Sequence, residues 1–402
     1  MVSSAPARRG SNAVPQSRDS AWAGRNELSI TQLRTRTSEK WRMYPPDVLP
    51  AFVAEMDFAL ADPIERALHE AVDRGDTGYP HPDGLAEAFA AFSRDWYGCA
   101  PQPDRCALVP DVLIGVAEML RILTEPGDSV VLDTPAYPPF WPVLSEYGRK
   151  IVEVPLARRE GRYDIDLGAL EAAFAAGARA YLLCNPQNPT GRSFERGQLE
   201  EICRLAARYD VTVVADEIHA PLTLPGATHT PFVSVADGIL ERAVTVTSPS
   251  KAFNLPGLKC AIAVAGSDLV RERFSRLPPE LYARAGNFGV LASIVAFREG
   301  APWLRGLLAH LDGNRNFLQH ALAQELPDIG YVPQQASYLA WLDCNGLGLG
   351  PEPWQILLDR GGVALSRGLN FGPHGAGFVR LNMGTSRKLL EEIVARMLRA
   401  VS

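Results

Sequence analysis

The feature that most constrains the fold of this chain is a series of short apolar runs separated by helical patterns. Six such runs lie at residues 129–132, 151–154, 180–183, 211–215, 243–247 and 261–265, with helical patterns at 112–123, 167–176 and 196–209. Apolar runs without polar alternation, joined by helices, are typical of parallel strands that are covered on both faces. We therefore predict an α/β fold with a largely parallel sheet and a ligand site at the carboxyl ends of its strands.

The two ends of the chain differ in pattern from this middle part. Residues 1–27 are rich in Ser, Ala, Pro and Arg, which predicts a disordered tail. After residue 287 a long helical stretch is broken near Gly300. It is followed by strand-like segments at 338–342 and 377–382, a helical pattern near 354–360 and a closing helix at 387–401. We expect residues 73–287 to form a large domain, residues 28–72 to form an N-terminal segment and part of a small domain, and residues 288–402 to complete that small α+β domain.

Composition excludes several classes of protein. The 402 residues carry 40 Lys and Arg against 46 Asp and Glu, a net charge of −6 that offers no general attraction for nucleic acid. The sequence has no apolar run of the roughly 18–20 residues that span a bilayer, so we expect no membrane partner. Six cysteines without a CxxC pair indicate free thiols in the cytoplasm, and seven histidines without zinc spacing indicate no metal site.

Two charged residues follow apolar runs directly. Lys251, one of only five lysines, follows the run at 243–247, and a lysine in a desolvated pocket becomes a nucleophile for carbonyls. Asp216 ends the run at 211–215, where a carboxylate is costly unless a cation pairs with it. Each also has an ordinary structural interpretation, a solvated loop charge for Lys251 and a cap or ion pair for Asp216.

Three motifs taken together resemble a known superfamily. They are Asn-Pro-Gln-Asn-Pro-Thr-Gly at 185–191, Asp-Glu-Ile-His at 216–219 and Ser-Pro-Ser-Lys-Ala-Phe-Asn-Leu-Pro-Gly-Leu at 248–258. This set resembles fold-type I pyridoxal-phosphate enzymes of the class I/II aminotransferase superfamily. More narrowly, with Val-Ala-Glu-Met-Asp-Phe at 53–58 and Thr-Gly-Tyr at 77–79, it resembles the MalY/PatB-type cystathionine β-lyase (C–S lyase) branch, over about residues 38–400.

The resemblance implies a seven-stranded, mostly parallel sheet between helices, a smaller α+β domain, pyridoxal 5′-phosphate as cofactor and a homodimer with shared active sites. It also implies roles around the cofactor ring. Lys251 would hold the cofactor covalently and move the Cα proton, and Asp216 would keep the ring nitrogen protonated. Asn188 and His219 would hydrogen-bond the ring oxygen, and Tyr137 would stack on the ring as a further catalytic residue.

The resemblance also implies a phosphate site and a substrate site. The cofactor phosphate would meet the helix start, two hydroxyls, a lysine and the neighbouring subunit's tyrosine, namely Val112, Leu113, Ser248, Ser250, Lys259 and Tyr79. Arg380 would bind the carboxylate of a small amino-acid or thioether substrate, together with Asn188. Arg367, in a loop that departs from the branch pattern, would reach a distal substrate group. Asp111, beside the phosphate, departs from the pattern and receives no role.

The implied reaction is α,β-elimination from cystathionine or another cysteine S-conjugate, which yields a thiol, pyruvate and ammonia. A thiolate is a good leaving group because the pKa of a thiol is roughly 8–9. Three alternatives stay open at this point. They are an aminotransferase, a decarboxylating enzyme with the same cofactor, and a cofactor-bound regulatory protein.

Overall fold

The computed structural model describes residues 18–402. The helices of the described part are α1 (Arg18–Asn26), α2 (Ile30–Leu33), α3 (Glu39–Arg42), α4 (Asp62–Asp73), α5 (Leu85–Tyr97), α6 (Val112–Leu123), α7 (Phe140–Glu146), α8 (Leu167–Ala175), α9 (Arg196–Tyr209), α10 (Asp268–Arg273), α11 (Pro279–Ala283), α12 (Asn287–Glu299), α13 (Ala301–Glu325), α14 (Pro353–Gly361) and α15 (Arg387–Val401).

The strands of the described part form one large sheet and three smaller ones. They are β1 (Leu49–Pro50), β2 (Cys106–Val109), β3 (Ser129–Thr134), β4 (Lys150–Pro155), β5 (Ala157–Arg159), β6 (Arg162–Asp164), β7 (Ala180–Cys184), β8 (Thr212–Asp216), β9 (Ala243–Thr247), β10 (Ala261–Ala265), β11 (Gly330–Tyr331), β12 (Leu339–Asp343), β13 (Val363–Ala364), β14 (Ser366–Arg367) and β15 (Phe378–Asn382).

The large sheet confirms the predicted fold class. Its seven strands lie in the order β2-β10-β9-β8-β7-β3-β4, and only β10 runs antiparallel to its neighbours. Every residue of β7, β8, β9 and β10 is buried, as expected for strands with helices on both faces. One apolar core packs α6 and α7 against one face, and another packs α8 and α9 against the other.

The carboxyl ends of three neighbouring strands bring together the residues predicted from the motifs. Strand β7 leads to the turn that carries Asn188, β8 ends at Asp216, and β9 leads to Lys251. Because β7, β8 and β9 are parallel, these ends lie at the same edge of the sheet. Helix α6 begins at that edge as well, since it follows β2, which runs in the same direction.

The other strands lie in smaller sheets. Strands β11, β12, β15 and β14 make an antiparallel sheet, and the short β1 pairs in parallel with β13. A continuous apolar core joins the N-terminal residues 49–64 to α13, α15 and the four-stranded sheet. This core supports a small domain built from both ends of the chain, and the boundaries at residues 72 and 287 stay a prediction. The described residues contain no helix long and apolar enough to cross a membrane.

The predicted disordered tail is wrong in its last part. Residues 1–17 lie outside the described residues, but Arg18–Asn26 form helix α1. Trp22 is 7% exposed and packs edge-on against Phe58 and Trp303, with ring centroids 5.2 and 5.6 Å away. Average composition missed this helix because one buried tryptophan contributes more apolar contact area than its polar neighbours suggest.

Candidate active site

A cavity of about 380 Å³ lies at the carboxyl edge of the large sheet. It brings together most of the predicted site residues, which are Val112, Leu113, Tyr137, Asn188, Asp216, His219, Ser250, Lys251, Lys259 and Arg380. Glu39, Val53, Ala54 and Glu55 also line it and had no predicted role. The cavity therefore lies between the carboxyl edge of the large sheet, which supplies most of the predicted groups, and the N-terminal segment. Arg380 comes from the four-stranded sheet.

Lys251 lies at the base of this cavity. Its Nζ donates a hydrogen bond to the carbonyl oxygen of Ala54, 3.1 Å away. Burial and, second to it, the positive charge of Arg380 lower the pKa of Lys251 to about 8. A substantial fraction of this amine is therefore neutral near pH 8, as both a nucleophile and a general base require.

Asp216 and His219 are buried polar groups with free hydrogen-bonding capacity. Asp216 is 5% exposed, its Oδ1 accepts from the N–H of Ile218 at 3.0 Å, and burial raises its pKa to about 7. Burial lowers the pKa of His219 to about 3, so its ring is neutral. The His219 Nδ1 atom has no hydrogen-bond partner among the described residues. A ligand with a cationic N–H and a polar oxygen would satisfy both groups.

Arg380 projects from β15 into the cavity and is 6% exposed. Its guanidinium donates to Asn188 Oδ1 at 3.0 Å, to the Phe52 carbonyl at 2.9 Å and to Ser366 Oγ at 3.2 Å. Burial lowers the pKa of Arg380 to about 10, which leaves the group charged at neutral pH. None of its three acceptors is a carboxylate, so the buried charge can still be paired by an anionic ligand.

The start of helix α6 forms an anion-binding corner. Asp111 caps the helix, since its Oδ1 accepts from the Ile114 N–H at 2.9 Å. The other oxygen of Asp111 pairs with Lys259 Nζ at 3.1 Å. The first-turn amides of Val112 and Leu113 have no intrahelical acceptor and can bind an anion. The negative charge of Asp111, which would repel an anion, is therefore offset by Lys259.

The two predicted serines differ in position. Ser250 lines the cavity, whereas Ser248 is 2% exposed and donates to the Cys260 carbonyl at 2.6 Å. Ser248 Oγ also accepts from the Ser250 N–H at 3.1 Å. Ser248 thus shapes the turn before Lys251, while the hydroxyl of Ser250 is available to a ligand.

Arg367 does not reach the cavity, which corrects the predicted substrate contact. Strand β14 pairs with β15 so that Ser366 lies opposite Arg380. Successive side chains of a strand point to opposite faces, and Arg367 therefore points away from Arg380. Its Nε donates to both carboxylate oxygens of Glu352, at 2.9 and 2.8 Å.

Tyr79 also lies outside this cavity within one subunit. The side chain is 84% exposed and lines a separate groove with Gly257, Leu258 and Phe288. Within a single chain it therefore makes no contact with the anion-binding corner. Its predicted role requires a second subunit.

The N-terminal segment 52–56 supplies groups that the sequence prediction missed. The Phe52 and Ala54 carbonyls accept from Arg380 and Lys251, and Tyr338 Oη also donates to Ala54 O at 2.9 Å. Asn382 Nδ2 holds the same segment through Val53 O and Glu55 O, both at 2.6 Å. The motif at 53–58 pointed to this segment. Its carbonyl acceptors could not be predicted from the motif, because every residue type carries a backbone carbonyl.

Comparison with known proteins identifies the family. Residues 53–397 match the family model described as "Aminotransferase class I and II". The chain belongs to this family. It is 37% identical to cystathionine β-lyase PatB of Bacillus subtilis, covering 89% of this chain and 93% of PatB, and 32% identical to protein MalY of Escherichia coli, covering 88% and 92%. The resemblance inferred from the motifs is therefore confirmed.

A solved structure has the same fold as this chain. Cystalysin of Treponema denticola, which contains a pyridoxal 5′-phosphate cofactor, superposes with a TM-score of 0.87 at 27% identity, covering 93% of this chain and 97% of cystalysin. This match confirms the fold-type I architecture.

Proposed function

We propose that this protein is a pyridoxal-phosphate-dependent C–S β-lyase that cleaves cystathionine or another cysteine S-conjugate to a thiol, pyruvate and ammonia. One observation carries the proposal. A lysine with a lowered pKa, a buried carboxyl and a buried arginine converge on one cavity in a chain 37% identical to a cystathionine β-lyase. The relatives' activity supports the choice of the lyase over the aminotransferase.

The cavity fits the cofactor by the chemistry of its groups. Lys251 offers an amine for the cofactor's carbonyl, and Asp216 offers a buried carboxyl for a protonated ring nitrogen. The unpartnered Nδ1 of His219 supports a hydrogen bond to the ring oxygen, together with the Asn188 amide. The start of α6 and Lys259 offer an anion site for the phosphate.

The chain's own groups perform the remaining chemistry. Arg380 holds the substrate carboxylate and fixes the orientation of the Cα–H bond, because its planar fork binds a carboxylate in two places. Pyridoxal phosphate, when bound, supplies an electron sink for the charge that develops at Cα. Lys251 Nζ accepts the Cα proton, for which a pKa of about 8 is well suited.

Elimination then breaks the bond between Cβ and sulfur. The electron pair of the Cα–H bond forms the new Cα–Cβ double bond, and the pair of the C–S bond leaves with sulfur. The thiolate needs little assistance because the pKa of its thiol is close to physiological pH. Addition of one water and loss of ammonia convert the remaining three-carbon product to pyruvate.

The proposal extends to the oligomeric state, the role of Tyr137, the location of the protein and the size of its substrate. We infer a homodimer in which Tyr79 contacts the phosphate of the partner's site, which its exposure in one chain supports. We infer that Tyr137 stacks on the ring, as its place in the cavity wall supports. A cytoplasmic location is supported by six free cysteines. The substrate is a small amino acid or thioether.

The decisive experiment measures products from S-ethyl-L-cysteine and cystathionine without any 2-oxo acid. A lyase releases pyruvate and free thiol in equal amounts. An aminotransferase instead requires a 2-oxo acid and leaves the thioether intact, which would overturn the proposal. Lys251→Ala should abolish pyruvate release, whereas Lys388→Ala, at an exposed lysine of α15, should not change it.

A further inference from the structure

A second cavity, of about 370 Å³, lies behind the first one. The extended backbone at the end of β8 passes between the two cavities. Asp216 lines the first cavity and the next residue, Glu217, lines the second, since successive side chains point to opposite faces of a sheet. Glu217 N–H still bonds to the Val246 carbonyl at 2.9 Å, so this segment continues the sheet.

Two buried polar groups face this second cavity with unused hydrogen-bonding capacity. Glu217 is 4% exposed, and its Oε1 accepts from the Phe232 N–H at 2.6 Å. Its Oε2 lies 3.6 Å from His229 Nε2, which is beyond hydrogen-bond distance. Thr245 is 3% exposed, and its Oγ1 has no partner among the described residues. A buried carboxylate without a full set of donors favours a ligand that supplies them.

The other walls define the rest of the ligand. Phe89, Val264 and Leu240 are apolar, and Tyr97 adds a second aromatic ring. A volume of 370 Å³ lies at the lower end of the roughly 300–1,000 Å³ of ligand pockets. The ligand is therefore small and has an apolar body.

The charged residues that line the second cavity determine whether it favours a cationic or an anionic ligand. Arg105 is engaged by Asp268 Oδ1 at 3.0 Å and by the Gly266 carbonyl at 3.1 Å, so its charge is already paired. Asp237, at the exposed mouth, adds a second negative charge to that of Glu217. The remaining field attracts cations, and aromatic faces add to this attraction.

We propose that this cavity is a second ligand site, which binds a small organic cation with an apolar body through Glu217 and Thr245. The site shares a wall with the active site. Asp216 and His219 face one cavity, whereas Glu217 and Ala220 of the same five-residue segment face the other. A ligand that binds Glu217 and shifts its side chain would therefore also shift the backbone that positions Asp216.

Benzamidine is a suitable probe, because its amidinium pairs with carboxylates and its ring is apolar; benzamide is the neutral control. Cys99 lines the cavity and reports occupancy through its rate of alkylation by iodoacetamide in the cofactor-loaded protein. We expect benzamidine to slow alkylation of Cys99 at least fivefold and benzamide to have little effect. Cys106 is also half-buried but lies outside the cavity, and its alkylation should not change.

Variants separate this site from binding elsewhere. Glu217→Gln should abolish the protection of Cys99 by benzamidine, and Thr245→Val should weaken it. Each variant is compared with and without the probe, since burial and, second to it, the charge of Glu217 raise the pKa of Cys99. Equal protection by benzamide, or full protection in Glu217→Gln, would overturn the assignment of a cation site. No protection in the unaltered protein would overturn it as well.

The shared wall is tested by the circular dichroism of the bound cofactor. Saturating benzamidine should change this signal in the unaltered protein and should leave it unchanged in Glu217→Gln. A probe that protects Cys99 but does not alter the cofactor signal would contradict the coupling. A change that persists in Glu217→Gln would place the effect at the active site itself and contradict it too.

Discussion

Arg380 and Arg367 differ in what their guanidinium groups face. Arg380 is buried and has no carboxylate partner within residues 18–402, whereas Arg367 is bound by Glu352 outside the cavity. We expect Arg380→Ala to lose about 2–5 kcal/mol of substrate interaction, which is roughly 30- to 4,000-fold in kcat/KM. Arg367→Ala is the matched control and should change kcat/KM less than about twofold. Steady-state kinetics on S-ethyl-L-cysteine test both, and equal losses would refute the assignment.

Asp216 and Asp133 are two carboxyl groups in which burial raises the pKa to about 7. Only Asp216 lines the active-site cavity, while Asp133 accepts a hydrogen bond from Tyr181. Asp216→Asn should lower turnover by at least about 100-fold, because it removes a charge that stabilises the reacting state. Asp133→Asn should lower thermal stability but preserve turnover per folded molecule. A fully active Asp216→Asn protein would remove this role.

Sequence reasoning at the level of residues succeeded where a side chain follows a strand directly. Lys251, Asp216 and Asn188 lie in the cavity because the end of an apolar run is also the end of a parallel strand. Arg367 was placed wrongly because the face of β14 depends on its register with β15. That register joins residues on separate strands and has no local signature.

At the scale of elements, helix α1 packs closely against helix α13. Gly306 of α13 leaves room for Trp22, and a Cβ atom there would lie 2.1 Å from the indole. An exposed helical Gly→Ala substitution normally stabilises by roughly 0.5–1 kcal/mol, but Gly306→Ala should displace Trp22 and lower stability. Gly197→Ala in α9 is the control, because an added Cβ atom there would meet no described residue outside its own helix within 4 Å. Urea unfolding and faster proteolysis within residues 18–26 measure the effect, and unchanged stability would contradict this packing.

The start of helix α6 combines a cap and a charge. Asp111→Ser should keep the cap, since serine is also a preferred N-cap residue, and should free Lys259. We expect the dissociation constant of the cofactor to fall about fivefold, or about 1 kcal/mol. Lys259→Gln should raise it, because Asp111 is then uncompensated. Fluorescence titration of the cofactor-free protein measures both, and a shift of both variants in the same direction would disprove the opposition of these charges.

The elements themselves were largely predictable from pattern. The break at Gly300 separates α12 from α13 as predicted, and β12, α14, β15 and α15 lie where their apolar patterns placed them. These elements are long or strongly periodic, so local sequence determines them. The pairing of β1 with β13 was not predictable, because it joins residues 49–50 to 363–364 through the packing of the whole chain.

At the scale of the whole molecule, the active-site residues come from separate parts of the chain that meet at the carboxyl edge of the large sheet. The active-site cavity takes its floor from the large sheet and its upper wall from the N-terminal segment, which Asn382 of the four-stranded sheet holds. Any relative movement of the two sheets would therefore change the distance between the acceptors at 52–54 and Lys251. Lys251 and Asp216 could be predicted from the sequence. Their position relative to the segment 52–54 could not, because tertiary packing determines it.

The proposed dimer gives a quantitative prediction. If Tyr79 serves the partner's site, a hybrid of one Tyr79→Ala subunit and one Lys251→Ala subunit contains one intact site of two. Random exchange of equal amounts makes half of the dimers hybrid, so mixing two inactive variants should restore about a quarter of the activity of the unaltered protein. If Tyr79 served its own subunit, each site of the hybrid would carry one substitution and mixing would restore nothing. Mixing Lys251→Ala with Asp216→Asn is the control, because both residues line the same cavity of one chain and every hybrid site stays defective.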